Sequence, residues 1–204
     1  GLRKRAKLKE NIEFYSGIRS INALQESDVC LLMIDAAEGF AAQDAAILHL
    51  IQKGGKGVVI LVNKWDQVQK NTNSTKDFEK EIKEKTSPFV DIPVIFISAL
   101  HKERIFKSVE IALEVFENRK KRISTSKLND ILLDVIEKSP PPSAKGKFVK
   151  IKYITQLPGK SPAFVFFCNH PLLLKESYKR FIENKLRENF NYNGVPIRIF
   201  IRNK

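Results

Sequence analysis

Four consecutive residues, Asn63-Lys64-Trp65-Asp66, carry side chains that could recognise a purine base. They directly follow the apolar run Val58–Val62. Such a run predicts a buried parallel strand, and ligands of parallel sheets bind beyond the carboxyl ends of the strands. The Asp66 carboxylate can accept two N–H bonds from guanine, a donor pair that adenine lacks on that edge. Asn63 is expected to brace the loops around the base, and the Lys64 stem to cover the base or ribose.

Taken alone, a tetrapeptide of this kind after an apolar run is usually an ordinary polar turn, in which Asp66 would cap a helix. A second apolar run, Pro93–Ile97, supplies an independent signal because it ends in Ser98-Ala99. A small pair at a strand end lets backbone N–H groups approach a base carbonyl closely. Two strand ends that each carry half of a guanine site are more specific than either alone. This pattern resembles the guanine-specificity elements of Ras-like GTPases.

The resemblance narrows when the rest of the chain is considered. Several segments are similar to the second GTPase domain of the EngA (Der) family of tandem GTPases, namely Gly1–Lys7, Gly17–Ser20, Ile34–Gly39 and Phe96–His101. The stretch Ser143–Arg202 resembles the KH-like domain of that family. The likeness extends over essentially the whole chain.

This resemblance implies a fold and a function. The expected fold is α/β, a partial Ras-like GTPase domain with half of its parallel sheet, followed by a small α+β KH-like domain. The family implies a cytoplasmic GTPase that acts in assembly of the large ribosomal subunit and contacts rRNA. GTP and GDP are the implied ligands, with Mg²⁺ only in the full-length protein. Gly1 is interpreted as the remnant of a switch motif, Asp-x-x-Gly.

The 204 residues contain no Gly-x-x-x-x-Gly-Lys-[Ser/Thr] phosphate loop. The Gly/Lys cluster Lys53–Gly57 stands after a helix and before a strand, so it predicts a helix stop. No catalytic residue is assigned, and these residues alone are not expected to hydrolyse GTP. We therefore expect a fragment whose missing N-terminal GTPase residues, or another chain, cover an apolar edge at Val29–Ile34. The alternative is a degenerate, non-catalytic remnant that binds RNA or protein.

Composition excludes several other classes. No apolar stretch approaches the roughly 20 residues of a membrane span, so no membrane partner is expected. The three histidines, His49, His101 and His170, are scattered without cysteine or carboxylate clusters, so no metal site is assigned. Cys30 and Cys168 lie in apolar runs and are expected to be buried free thiols.

Hydrophobic periodicity and breakers divide the chain into two domains, 1–122 and 123–204. The first is expected to alternate helices and strands; the second has the order α-β-β-α-β. We expect helices near 10–25, 43–52, 76–85, 104–121, 126–139 and 175–189, and strands near 29–34, 58–62, 93–97, 148–155, 163–168 and 197–202. Trp65, Phe96 and Phe106 are expected to be packing residues.

The net charge of +13 is concentrated near the C-terminus, where residues 139–204 carry 13 Lys and Arg against three Glu. Strand alternation places Lys150 and Lys152 opposite Val149, Ile151 and Tyr153. Arg198 and Arg202 likewise lie opposite the isoleucines of the last strand. If the two strands are neighbours, a basic sheet face results that suits an RNA backbone. The alternative is an interface with the GTPase domains.

Overall fold

The computed structural model describes residues 21–68 and 74–203. The chain divides between Glu117 and Asn118 into two compact units. The predicted helix at 10–25 falls mostly outside the described residues, although residues 21–26 are helical. The interpretation of Gly1 as a switch remnant also falls outside them. No helix in the described part of the chain is long and apolar enough to cross a bilayer.

The first unit alternates strands with helices, as the periodicity predicts. Its elements are β1 (Val29–Asp35), α1 (Ala42–Lys53), β2 (Gly57–Asn63), a 3₁₀ turn (Trp65–Gln67), α2 (Ser74–Thr86), β3 (Val94–Phe96) and α3 (Ile105–Lys120). The three strands pair in parallel in the order β1-β2-β3. This arrangement places the carboxyl ends of all three strands at one edge, where a parallel sheet binds ligands.

The central strand β2 is apolar throughout because both of its faces are covered. Val58, Ile60 and Val62 join the core on the side of α1 and α2. On the opposite face a Cβ added to Gly57 would stand 2.6 Å from Val115 of α3, so glycine allows the helix to approach. The predicted helix stop is confirmed, since α1 ends at Lys53 and Gly55 has a φ of +65°.

An apolar surface remains uncovered around β1 and α3. Among the described residues β1 pairs only with β2, and its Leu31 and Met33 side chains are about half exposed. The expected apolar edge at Val29–Ile34 is therefore present. Phe106 is 85% exposed, so its assignment as a packing residue is wrong. It lies on the same helical face as Val109 and Leu113, which are also exposed.

The second unit has the predicted order α-β-β-α-β. Its elements are α4 (Thr125–Lys138), β4 (Ile151–Gln156), β5 (Ala163–Cys168), a 3₁₀ turn (Pro171–Leu173), α5 (Glu176–Asn189) and β6 (Arg198–Asn203). The Ser124 hydroxyl caps α4 by accepting the Lys127 N–H at 3.4 Å. The sheet order is β4-β5-β6, antiparallel between β4 and β5 and parallel between β5 and β6.

One face of this sheet packs on both helices. Leu128 and Leu132 of α4, Ile182 and Leu186 of α5, and Phe164 of β5 share its core. Asn129 also joins α4 to β4, because its amide donates to the Ile154 carbonyl at 2.8 Å and accepts the Ile154 N–H at 2.9 Å. Cys168 is fully buried in this core, whereas Cys30 of the first unit is only partly buried.

Candidate functional site

The two predicted half-sites lie side by side at the carboxyl edge of the first sheet. The Ala99 N–H donates to Oδ1 of Asn63 at 3.0 Å. Two backbone hydrogen bonds join the same strand ends. The Ile97 N–H donates to the Val62 carbonyl at 2.8 Å, and the Trp65 N–H donates to the Ile97 carbonyl at 3.1 Å. The Ala99 N–H, expected to approach a base carbonyl, is thus engaged by Asn63. A base carbonyl would have to share that donor or replace the amide oxygen.

The turn after β2 presents the polar side chains while burying the tryptophan between them. Lys64 has a φ of +62° and occupies the cap position of the 3₁₀ turn. Asp66 lies inside that turn, so its interpretation as a helix N-cap is wrong. Trp65 is 5% exposed, and its ring centroid lies 4.3 Å from that of Phe96 and 5.7 Å from that of Phe78. The buried ring anchors the loop, so that Lys64 and Asp66 remain partly exposed on either side of it.

Ser98 shapes the second half of the site from within. Its side chain is fully buried, and its hydroxyl accepts the His101 N–H at 3.2 Å. Its backbone pairs with Glu103 in both directions, at 2.9 and 3.4 Å. The serine thus closes the turn that holds Ala99 next to Asn63.

Two further side chains belong to this edge and were not found from the sequence. The Asp35 carboxylate at the end of β1 lies 2.6 Å from Nζ of Lys64. The hydrogen bond from Lys64 lowers the pKa of Asp35, with help from the Ala37 N–H, and the same contact raises the pKa of Lys64. Nε2 of His101 lies 3.7 Å from Oδ2 of Asp66. In the sequence, the position of Asp35 directly after an apolar run is the feature that could have indicated its place at this edge.

The edge therefore presents acceptors and an aliphatic arm. The Asp66 carboxylate accepts N–H groups, the Asn63 amide both donates and accepts, and the Lys64 stem offers apolar contact. This combination suits a flat heterocycle that carries adjacent N–H donors. In the described ranges, no group of three or more His, Cys, Asp or Glu side chains is placed to hold a metal ion.

The C-terminal sheet differs from the prediction in two respects. The strands β4 and β6 are not neighbours, because β5 lies between them. A β-bulge between Ile151 and Tyr153 also breaks the expected alternation. Tyr153 pairs with Phe167, on the face opposite Ile154. The expectation that Ile151 and Tyr153 share a face is therefore wrong.

The outer face of this sheet nevertheless combines cations with aromatic rings. The exposed basic residues Lys150, Lys152, Arg198 and Arg202 were all predicted for it. Arg202 is in register with Phe167, which is in turn opposite Tyr153. Phe200 and Tyr153 are each about 40% exposed, and the Tyr153 and Phe167 rings lie 5.9 Å apart.

Comparison with known families agrees with this architecture. Residues 16–140 match the model of the elongation factor Tu GTP binding domain. Residues 122–202 match the C-terminal KH-domain-like model of EngA bacterial GTPase enzymes. The fold is thus a partial Ras-like GTP-binding domain followed by a KH-like domain, and the class is that of proteins which join these two domains.

The relatives identify the family within this class. The chain is 56% identical over 204 residues to GTPase Der of Flavobacterium psychrophilum and 55% identical to that of Flavobacterium johnsoniae. Each match covers 100% of this chain and 47% of the relative. The chain belongs to the GTPase Der (EngA) family and corresponds to the C-terminal part of that family. It spans about half the length of the curated relatives it matches.

Among solved structures, an Era variant from Aquifex aeolicus bound to GDP·AlF4⁻ is similar over 100% of this chain and 73% of that chain. The two share 20% identity with a TM-score of 0.47.

Proposed function

We propose that this chain is part of a GTP-binding and GTP-hydrolysing factor that acts in assembly of the large ribosomal subunit. Residues 1–122 would form a portion of its second GTPase domain and residues 123–204 its KH-like domain. Family membership supports the cellular role. The observation that carries nucleotide recognition is the Asn63–Ala99 hydrogen bond, which joins the two half-sites at the edge where Asp66 is presented.

In this proposal each residue of the edge has one role. Asp66 accepts the two N–H groups of guanine, and Asn63 holds the loops on which Asp66 and Ala99 stand. The Lys64 stem covers the base. His101, whose imidazole faces Asp66 at 3.7 Å, must move away or turn when the base arrives. Ser98 acts through its buried hydroxyl and its small size.

Hydrolysis requires more than these 204 residues contain. Phosphoryl transfer is catalysed by a phosphate cradle and by Mg²⁺, which spread the developing charge. The sequence has no such cradle, so GTP hydrolysis is proposed only for a protein of the relatives' length. The exposed apolar edge of β1 supports a sheet that continues with further strands. The alternative remains a non-catalytic module that binds RNA or protein without turnover.

The test is Asp66→Asn in a protein of the relatives' length. The carboxylate provides two charge-assisted bonds, each worth about 1.5–3 kcal/mol, so GDP affinity should fall at least about 100-fold. Xanthine carries a carbonyl in place of the exocyclic amine and can accept from the new amide. Affinity for xanthosine diphosphate should therefore rise. Calorimetric titration with both nucleotides measures the change.

A matched control is Asp77→Asn, which removes an exposed carboxylate from α2 in the same unit. It should leave both affinities unchanged. Unaltered GDP affinity in Asp66→Asn would remove Asp66 from base recognition. A wild-type protein that binds GDP but never hydrolyses GTP would favour the non-catalytic alternative.

For the C-terminal unit we propose contact with single-stranded RNA through the outer face of β4, β5 and β6. Residues 139–204 carry a net charge of +10, and the face adds exposed aromatic rings to its cations. Cations neutralise phosphates, while aromatic side chains stack on unpaired bases. Docking against a GTPase domain is the competing outcome. Under this proposal Arg198 and Arg202 contact rRNA.

Replacing Arg198 and Arg202 by alanine tests this proposal. Each lost phosphate contact should lower the slope of log affinity against log salt by about 0.7 for single strands. Lys127→Ala, which removes an exposed cation from α4, is the matched control and should leave the slope unchanged. Fluorescence anisotropy with a short single-stranded RNA measures both quantities. An unchanged slope in the arginine variant would contradict RNA contact at this face and favour domain docking.

A further inference from the structure

We infer that Asp35 is a positioning residue of the guanine site, which holds Lys64 in the conformation that covers the base. This inference rests on the proposed nucleotide recognition at the same edge. Asp35 makes no contact with the base in this role. It acts through the ammonium of Lys64, whose Nζ lies 2.6 Å from its Oδ2.

The register of the sheet places the pair. Asp35 of β1 is the direct partner of Asn63 in β2, and both end their strands. The Ala36 N–H donates to the Asn63 carbonyl at 2.9 Å, which extends the ladder one step beyond the strand. Lys64 follows immediately and turns back with a positive φ. The two strand ends therefore bring the carboxylate within reach of the lysine, although 29 positions separate them in sequence.

The carboxylate itself is held before any ligand arrives. Oδ1 of Asp35 accepts the Ala37 N–H at 2.9 Å, while Oδ2 faces the ammonium. The Asp35 carbonyl accepts the N–H groups of Glu38 and Gly39 at 3.2 and 3.0 Å. Gly39 has a φ of +68°, a conformation that glycine adopts without strain. The turn after β1 is thus a rigid support for the carboxylate.

A contribution to folding stability does not by itself account for the ion pair between Asp35 and Lys64. The Lys64 and Asp35 side chains are 52% and 24% exposed, and ion pairs of this kind contribute little to folding stability. A lysine held in place, however, loses less rotamer freedom when a ligand packs against its stem. Ordering one flexible side chain in advance corresponds to a roughly 2- to 10-fold gain in ligand affinity.

The experiment is a double-mutant cycle on GDP affinity in a protein of the relatives' length. Asp35→Asn removes the charge but keeps the shape, and Lys64→Met removes the ammonium but keeps an apolar stem. We expect Asp35→Asn to raise the Kd for GDP about fivefold. Adding Asp35→Asn to Lys64→Met should raise it no further, because Asp35 acts only through the ammonium. The urea midpoint of unfolding of Asp35→Asn should equal that of the wild type.

Glu26→Gln is the matched control, since it removes an exposed carboxylate from the same unit that is not among the groups acting on Asp35 or Lys64. It should bind GDP like the wild type. Wild-type affinity in Asp35→Asn would overturn the inference, and so would additive effects in the double variant. A loss of affinity that merely follows lost stability would also overturn it. A wild-type protein that binds no GDP at all would instead overturn the proposed function.

Discussion

The brace formed by Asn63 can be tested by removing its amide. In Asn63→Ala the Ala99 N–H loses its acceptor, which lies at 3.0 Å in good hydrogen-bond range. A typical net hydrogen bond contributes about 0.5–1.5 kcal/mol. This bond lies in an exposed part of the edge, so water can replace the lost acceptor. We therefore expect the binding free energy of GDP to weaken by an amount near the middle of that range, about 1 kcal/mol.

Such a loss corresponds to an approximately fivefold weaker affinity for GDP. Because a brace orients the loops but does not read the base, the preference for guanine over xanthine should remain that of the wild type. Titration calorimetry with GDP and with xanthosine diphosphate measures the affinity and the preference together. The same measurement on Asp66→Asn provides the contrasting case, in which the preference changes.

Gln67→Ala is the matched control for this prediction. Gln67 is exposed and belongs to the same 3₁₀ turn, so its amide should be dispensable for binding. If Asn63→Ala altered the preference between the two bases, Asn63 would contact the base directly and the brace would be the wrong description. Unchanged GDP affinity would show that the bond to Ala99 has no part in binding.

Two further predictions concern the stability of the C-terminal unit. Asn129→Ala removes both hydrogen bonds to Ile154 and should lower the free energy of unfolding by about 2–3 kcal/mol, measured by urea denaturation. Asn189→Ala removes one exposed hydrogen bond and should lower the free energy of unfolding far less. Equal decreases in the two variants would contradict the role of Asn129 in joining α4 to β4. Burial raises the pKa of Tyr178 and of Tyr192 to about 12. The folded state then keeps protons that the unfolded chain loses near pH 10, so stability should fall between about pH 10 and pH 12. Phenolate absorbance and circular dichroism report this transition. A free energy of unfolding that does not change over that pH range would contradict the predicted decrease.

The element order was predictable because it depends on local patterns. The continuous apolar run of β2 indicates a strand covered on both faces, and α1 ends at glycines that stop a helix. Ser124 and the prolines after Ser139 bracket α4 in the same way. These signals act over a few residues, so they can be read without knowledge of the fold.

The faces of the second sheet were less predictable. A single bulge between Ile151 and Tyr153 reverses the side of every later residue in β4 relative to simple alternation. Nothing in the local sequence marks it. The insertion of β5 between β4 and β6 is also a matter of strand pairing, which local periodicity does not encode.

Residue types along the chain indicate which side chains could contact a guanine base, because the chemistry of a carboxylate, an amide and a lysine stem is a property of residue type. Their position after apolar runs also determined the edge of the sheet at which they stand. How these residues are connected depends on the tertiary structure. The Asn63–Ala99 bond and the Asp35–Lys64 pair each join residues from different strand ends. Such contacts depend on the parallel register of β1, β2 and β3, which brings together side chains that lie far apart along the chain.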